Sequence, residues 1–169
     1  MADLPTYEGG CACGAVRYKV IDRPVRTHAC HCRWCQRETG SAFAINSMYE
    51  TDNVKTTSET KPEVVEVPTA TGQIQWITRC PRCKIAIWSQ YALHAGKAVR
   101  IIRAGTFDNP DLFPPEHHIY TSTMQPWLIL DESTPQAEEF YDRARFWSQR
   151  SLDRLEKALQ RAEEPQGGQ

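Results

Sequence analysis

Every cysteine of this chain falls into one of three short groups, and that spacing constrains the fold more than any other feature. Cys11-Ala12-Cys13 comes first, Cys30-His31-Cys32-Arg33-Trp34-Cys35 follows, and Cys80-Pro81-Arg82-Cys83 lies far downstream. Thiolates two or three positions apart on a turning backbone converge on one ion at roughly 2.3 Å with tetrahedral angles, so such groups read first as metal ligands. A disulfide framework fits poorly, because seven thiols leave one over. Met1 to Tyr7 carries no apolar run behind a basic start. No secretory signal is read there, and a reducing, cytoplasmic setting is expected.

Seven sulfurs do not complete two four-coordinate sites. Cys30, Cys32 and Cys35 can wrap one ion by themselves, which leaves Cys11 and Cys13 to join Cys80 and Cys83 around a second. A closed four-thiolate site is structural, whereas three protein ligands and a free position mark catalysis. The alternative is that His28 or His31 fills the gap and closes both sites. His31 stands between two ligands on an extended or turning backbone, which tends to aim its ring away from them. Three thiolates on Zn²⁺ leave a net charge of −1 and a weaker Lewis acid than a three-histidine site. Soft surroundings of that kind suit a thiol as fourth ligand, and zinc keeps a coordinating thiol ionised. Two zinc ions per chain and thiol chemistry at the open one are therefore expected.

The rest of the chain frames these groups. Apolar residues make up 40% of 169 residues, enough for one core, and the net charge of −1 offers no general field for nucleic acid or an anionic membrane. No apolar run approaches the ~20 residues a membrane span needs. Val16, Tyr18 and Val20 alternate with Arg17 and Lys19, the period of a half-buried strand. Further strands are read at 43–49, 54–57, 64–67, 74–78, 86–91, 99–104 and 118–121, and a short helix or turn over 32–40. The fold class is mainly β, antiparallel. From Ser133 the period changes to that of a long amphipathic helix, or two in tandem, with a cap at Ser133 or Thr134, Pro135 in the first turn, and an end near Glu164. The organisation expected is a zinc domain over 1–131, a helical extension over 132–164 and a disordered tail over 165–169. The extension is expected to pack on the β domain or to make a homodimer, without touching the chemistry.

The motifs resemble the glutathione-dependent formaldehyde-activating family, which includes centromere protein V-like proteins. The resemblance runs through Gly9-Gly10-Cys11-Ala12-Cys13-Gly14-Ala15-Val16-Arg17-Tyr18, then Cys30-His31-Cys32-Arg33-Trp34-Cys35-Gln36-Arg37, Thr39-Gly40-Ser41-Ala42-Phe43 and Cys80-Pro81-Arg82-Cys83. Ala104-Gly105-Thr106-Phe107-Asp108, His118-Ile119-Tyr120 and Gln125-Pro126-Trp127 resemble its later signatures. It implies a β-tent fold, the same partition of ligands, and a carbon–sulfur lyase that joins formaldehyde to glutathione or reverses that step. A glutathione-binding carrier and a zinc-built interaction module are the alternatives. Lys84 follows Cys83 where the family usually has Gly, and at positive φ it would cost about 1 kcal/mol.

A glutathione thiolate is doubly negative, so its site should present cations. Arg33 and Arg37 flank the open cluster in sequence and are the expected contacts. Gln36 is read as a donor to sulfur or carbonyl, or else as a turn cap. Gly40 and Ser41 form a turn that can offer backbone N–H groups. His118 and Trp127 are read as wall or core.

Overall fold

The structure of the chain, a computed structural model, describes residues 4–69, 72–92 and 95–164. The tail expected at 165–169 lies outside the described residues. Two sheets carry the fold. In the smaller, β2 (Arg17–Ile21) lies between β1 (Thr6–Gly10) and β5 (Val54–Thr56), antiparallel to both. The alternation read in β2 is real: Tyr18 and Val20 are buried while Arg17 and Lys19 stay partly exposed. The larger sheet has seven strands. Its centre is β3 (Arg26–Cys30), β4 (Ala44–Glu50) and β9 (Gly96–Arg103). It extends through β8 (Ala86–Tyr91) and β7 (Ile74–Arg79) to the edge strand β6 (Glu63–Pro68). At the other end β10 (His117–Ile119) joins β3 in parallel, and every other pairing is antiparallel.

Two strands escape a periodicity reading. β3 reads Arg-Thr-His-Ala-Cys and is buried along almost its whole length, so no alternation is visible. Its polar side chains find partners instead: Thr27 Oγ1 lies 3.1 Å from Ser47 Oγ, and His28 Nε2 lies 2.7 Å from the Tyr141 hydroxyl. β1 ends in two glycines, weak strand formers. Gly9 is required there because a Cβ would come within 2.4 Å of both the Tyr18 hydroxyl and the Thr106 carbonyl. The main core lies between the sheets. It gathers Val16, Tyr18, Val20, Tyr49, Ile87, Trp88, Ile102, Phe107 and Phe113, together with Cys11 and Cys80.

The helix expected from Ser133 begins later. Residues 135–139 run beside β10 and the turn after it. The His118 N–H donates to the Pro135 carbonyl at 2.8 Å, the Ala137 N–H to the His118 carbonyl at 2.9 Å, and the Tyr120 N–H to the Glu139 carbonyl at 3.1 Å. An open sheet edge thus takes the backbone groups a helix would have used, and Pro135 supplies no N–H to either. Helix proper starts with the single turn α2 (Arg143–Phe146), capped by Asp142, and continues after Trp147 as α3 (Gln149–Glu163), capped by Ser148. Of the two partners expected for it, α3 occupies its own sheet. Trp147, Leu155 and Ala158 bury against Val25, Met48, Ala98 and Val99. Arg154 clamps Glu50 with two bonds of 2.6 Å, and Arg150 reaches Asp22 at 2.6 Å. No helix among the described residues is long and apolar enough to cross a membrane.

Candidate metal centres

The sulfurs assemble in the two groups that counting suggests: Cys11, Cys13, Cys80 and Cys83 in one, Cys30, Cys32 and Cys35 in the other, each within a span of 4.8 Å. All seven are free thiols. Sulfur–sulfur distances of 3.5 Å (Cys11–Cys13 and Cys30–Cys32) and 3.7 Å (Cys13–Cys80) are far too long for disulfides. They come close to the edge of a tetrahedron with bonds of roughly 2.3 Å, about 3.8 Å, so both donor sets fit a metal ion of zinc's size and softness.

The four-sulfur group is built from two facing turns. Between β1 and β2, Cys11 and Val16 close a loop in which the Cys11 N–H donates to the Val16 carbonyl at 3.0 Å, while the Val16 N–H donates to the Cys11 sulfur at 3.3 Å. After β7, the Lys84 N–H donates to the Cys80 carbonyl at 3.0 Å and the Arg82 N–H to the Cys80 sulfur at 3.4 Å. Lys84 does adopt the left-handed conformation, with φ 61°. Its strain of about 1 kcal/mol is partly offset by the ion pair of its ammonium with Glu63 at 2.9 Å and by Arg79 donating to its carbonyl at 3.1 Å.

The three-sulfur group sits where β3 runs into the short helix α1 (Arg33–Thr39). Cys30 ends the strand, Cys32 caps the helix by accepting from the Cys35 N–H at 3.4 Å, and Gly40 closes it at φ 66°. Three crowded thiols cannot all ionise unaided. The hydrogen bond from Cys30, then that from Cys35, holds Cys32 down at about 2, while Cys32, Cys35 and burial push Cys30 far up. A bound dication would relieve that conflict.

His31 does not complete this group. Its ring is wholly buried and turned to His118, with Nε2 2.9 Å from His118 Nδ1, and it packs on Phe43. Burial, then His118, lowers its pKa to about 4, so it is neutral at physiological pH. His28 instead faces Tyr141. Among the described residues, no fourth histidine, cysteine or carboxylate side chain joins the three sulfurs.

The five residues expected to contact substrate do come together. Arg33, Gln36, Arg37, Gly40 and Ser41 line one groove of about 550 Å³ with Ala42, Gln125 and Trp127. Arg33, Gln36, Arg37 and Gly40 recur at helical spacing and share a face of α1. Cys35, two positions from either arginine, points to the opposite side and is buried with Ala44 and Ile119. Cys32, at the helix start, is the partly exposed sulfur of the cluster. Arg33 and Arg37 are exposed. Gln36 is buried and its amide is fully occupied. It donates to the His31 carbonyl at 2.6 Å and the Thr123 carbonyl at 2.9 Å, and accepts from Arg33 at 2.9 Å and Gln125 at 2.8 Å. It therefore ties the cluster's backbone to the groove. Trp127 is 68% exposed at the rim.

Sequence reasoning missed several neighbours of the cluster. Phe140 and Tyr141, in the segment beyond β10, pack against the Cys30 group together with Tyr120. The extension therefore does reach the site it was expected to leave alone. Glu38, Asn46 and Arg103 lie behind Cys35. No local motif marks them, since their contacts span up to 65 positions of sequence.

Known proteins bear the assignment out at family level. Residues 6–123 match the family described as glutathione-dependent formaldehyde-activating enzyme, a stretch that holds all seven cysteines. A curated relative from Halomonas elongata, named "Putative glutathione-dependent formaldehyde-activating enzyme", is 29% identical over 87 residues, covering 48% of this chain and 54% of its own. The chain thus spans about half the length of that relative. A Rhodobacter sphaeroides protein of known crystal structure is 19% identical, with 64% of this chain and 96% of that one covered and a TM-score of 0.47. Because the family match takes in well over half of the chain and every candidate ligand, this protein belongs to the glutathione-dependent formaldehyde-activating family.

Proposed function

We propose that the protein is a zinc-dependent carbon–sulfur lyase acting on a glutathione–aldehyde adduct such as S-hydroxymethylglutathione. The observation that carries this is the unequal pair of clusters: one of four sulfurs, and one of three with a cationic groove on the same short helix. Cys30, Cys32 and Cys35 would hold the zinc of the open site, and Cys11, Cys13, Cys80 and Cys83 the structural one. Zinc with three thiolates supplies a soft fourth position that keeps an incoming thiol ionised. In the forward reaction the thiol sulfur bonds to the aldehyde carbon and the thiol proton ends on the aldehyde oxygen. The reverse breaks the same carbon–sulfur bond.

The chain's own part is binding and orientation. Arg33 and Arg37 offer two exposed guanidinium forks to the ligand's carboxylates across the helix from Cys35, and Gln36 holds Arg33 in place. In this reading an extended tripeptide keeps its carboxylates in the groove and brings its thiol to the three-sulfur cluster. The partner is a small-molecule thiol and aldehyde met in the cytoplasm, and no nucleic acid or membrane enters the reading.

Calorimetry with glutathione and with S-methylglutathione tests it. Glutathione is expected to bind with proton release, read from buffers of different ionisation enthalpy. Its affinity should fall with salt, because exposed charge pairs are screened over ~8–10 Å. The S-methyl form is expected to bind at least ~10-fold more weakly, a loss of about 1.4 kcal/mol. Equal affinity for both would end the thiol-on-zinc reading. Tight binding without accelerated exchange between formaldehyde and its adduct would make the protein a carrier.

A further inference from the structure

We propose that Asn46, locked by a buried Arg103–Glu38 pair, is a positioning residue that tunes the three-sulfur cluster through a hydrogen bond to Cys35. The inference rests on the reading that this cluster holds a metal ion. β4 brings Asn46 between its neighbours, opposite His28 on β3 and opposite Arg103 on β9. From there its amide nitrogen faces the Cys35 sulfur at 4.0 Å, the long end for an N–H···S contact, and its amide oxygen accepts from Arg103 Nη1.

The orientation of that amide is not arbitrary. Oxygen and nitrogen of an amide have nearly the same shape, but a guanidinium only donates. The oxygen must therefore face Arg103, and the NH₂ is left for Cys35. Arg103 is held in turn: its Nη2 lies 2.5 Å from Glu38 Oε2, with only 10% and 6% of the two side chains exposed. One planar fork thus grips an amide on β4 and a carboxylate on α1, the helix that carries Cys35. Lysine has no such fork.

The network acts on the cluster electrostatically. Three thiolates around a dication leave a net negative charge in a buried place. An N–H on the Cys35 sulfur, with a guanidinium behind it, draws that charge off the sulfur. The metal then keeps more of its Lewis acidity, and its fourth position holds an arriving thiol more firmly.

Cobalt substitution reads this without any reaction. Both clusters give thiolate-to-cobalt charge-transfer bands, so the four-sulfur cluster is an internal reference. In Asn46→Ala the band of the three-sulfur cluster is expected at lower energy. The cobalt affinity of that cluster, read by competition with a chelator, should fall about 10–100-fold, the usual effect of losing a partner beyond the ligands. The four-sulfur cluster should not change. Asn46→Asp, close in shape but presenting oxygen to sulfur, should do the same or more. Arg103→Lys, which keeps the charge and loses the fork, should shift the band in the same direction. A defect of folding would instead loosen both clusters together, and that outcome overturns the proposal. So do an unmoved band and cobalt affinity in both Asn46 variants of a protein that binds two cobalt ions. Wild-type protein that takes up a single cobalt ion removes the metal reading and this inference with it.

Discussion

Replacing Tyr141 with Phe removes one oxygen from the segment that ties the C-terminal region to the metal site. That oxygen lies 2.7 Å from His28 Nε2 and 2.7 Å from the indole nitrogen of Trp147. The indole can only donate, and Trp147 is buried, so its N–H is left without an acceptor at a cost of ~1–3 kcal/mol. The lost bond to His28 adds about 1 kcal/mol. The sum is about 2–4 kcal/mol, and at 2–4 °C per kcal/mol for a chain of this size the melting temperature should fall by roughly 5–15 °C. Tyr141→Ala loses more, because the ring stacks on His117 with centroids 4.0 Å apart and on Phe140 at 5.1 Å, and it packs against the Cys30 cluster. A cavity of that kind costs ~3–5 kcal/mol for an aromatic residue, and metal should be lost from the three-sulfur cluster first. The assay is a thermal melt at fixed excess zinc, since bound metal shifts the midpoint, followed by metal analysis of each variant. A Phe variant that melts within a degree of wild type would refute the hydrogen-bond argument. An Ala variant that keeps all its metal would refute the claim that this segment supports the site.

Two further outcomes follow from the same coordinates. Cys80→Ser should unfold the domain, because Cys80 and Cys11 belong to the main core and structural zinc contributes on the order of 10 kcal/mol. Cys35→Ser should lower bound metal towards one equivalent and leave the fold largely intact, as its cluster lies in a smaller side core; equal destabilisation by both changes, in melts with metal analysis, would contradict the partition. His117 should make stability fall in acid: burial, then Arg26 and His118, lowers its pKa to about 4 from 6.5, so the unfolded chain takes up a proton that the folded one refuses. Its contribution is complete above about pH 6.5 and is lost as pH falls towards 4. His117→Phe, which keeps an aromatic ring against Tyr141 and Phe146, should lose less stability than wild type between pH 7 and 5 in denaturant melts, and parallel curves would remove His117 as a cause.

The division of the sulfurs into two groups was legible because short spacings are local: residues two or three apart on a turn can converge whatever the rest of the chain does. Strands with one wet face were legible for a similar reason, as β2 illustrates, and so was the strain at Lys84 once its place after Cys83 was known. Strands buried on both faces, such as β3, leave no period to read. The helix after Ser133 was misplaced at its start, because helical spacing alone cannot register that a sheet edge far back in sequence claims the backbone of 135–139. At the site, sequence named the residues of the groove but not its direction. That Arg33 and Arg37 face away from Cys35, that Gln36 spends its whole amide on the scaffold, and that His31 turns to His118 are consequences of packing. Local sequence therefore determined which atoms can bind a metal. Tertiary structure alone decided what surrounds them, because Phe140, Tyr141, Asn46 and Arg103 come near the cluster only when distant strands and loops meet, and contacts of that separation leave no mark in a spacing.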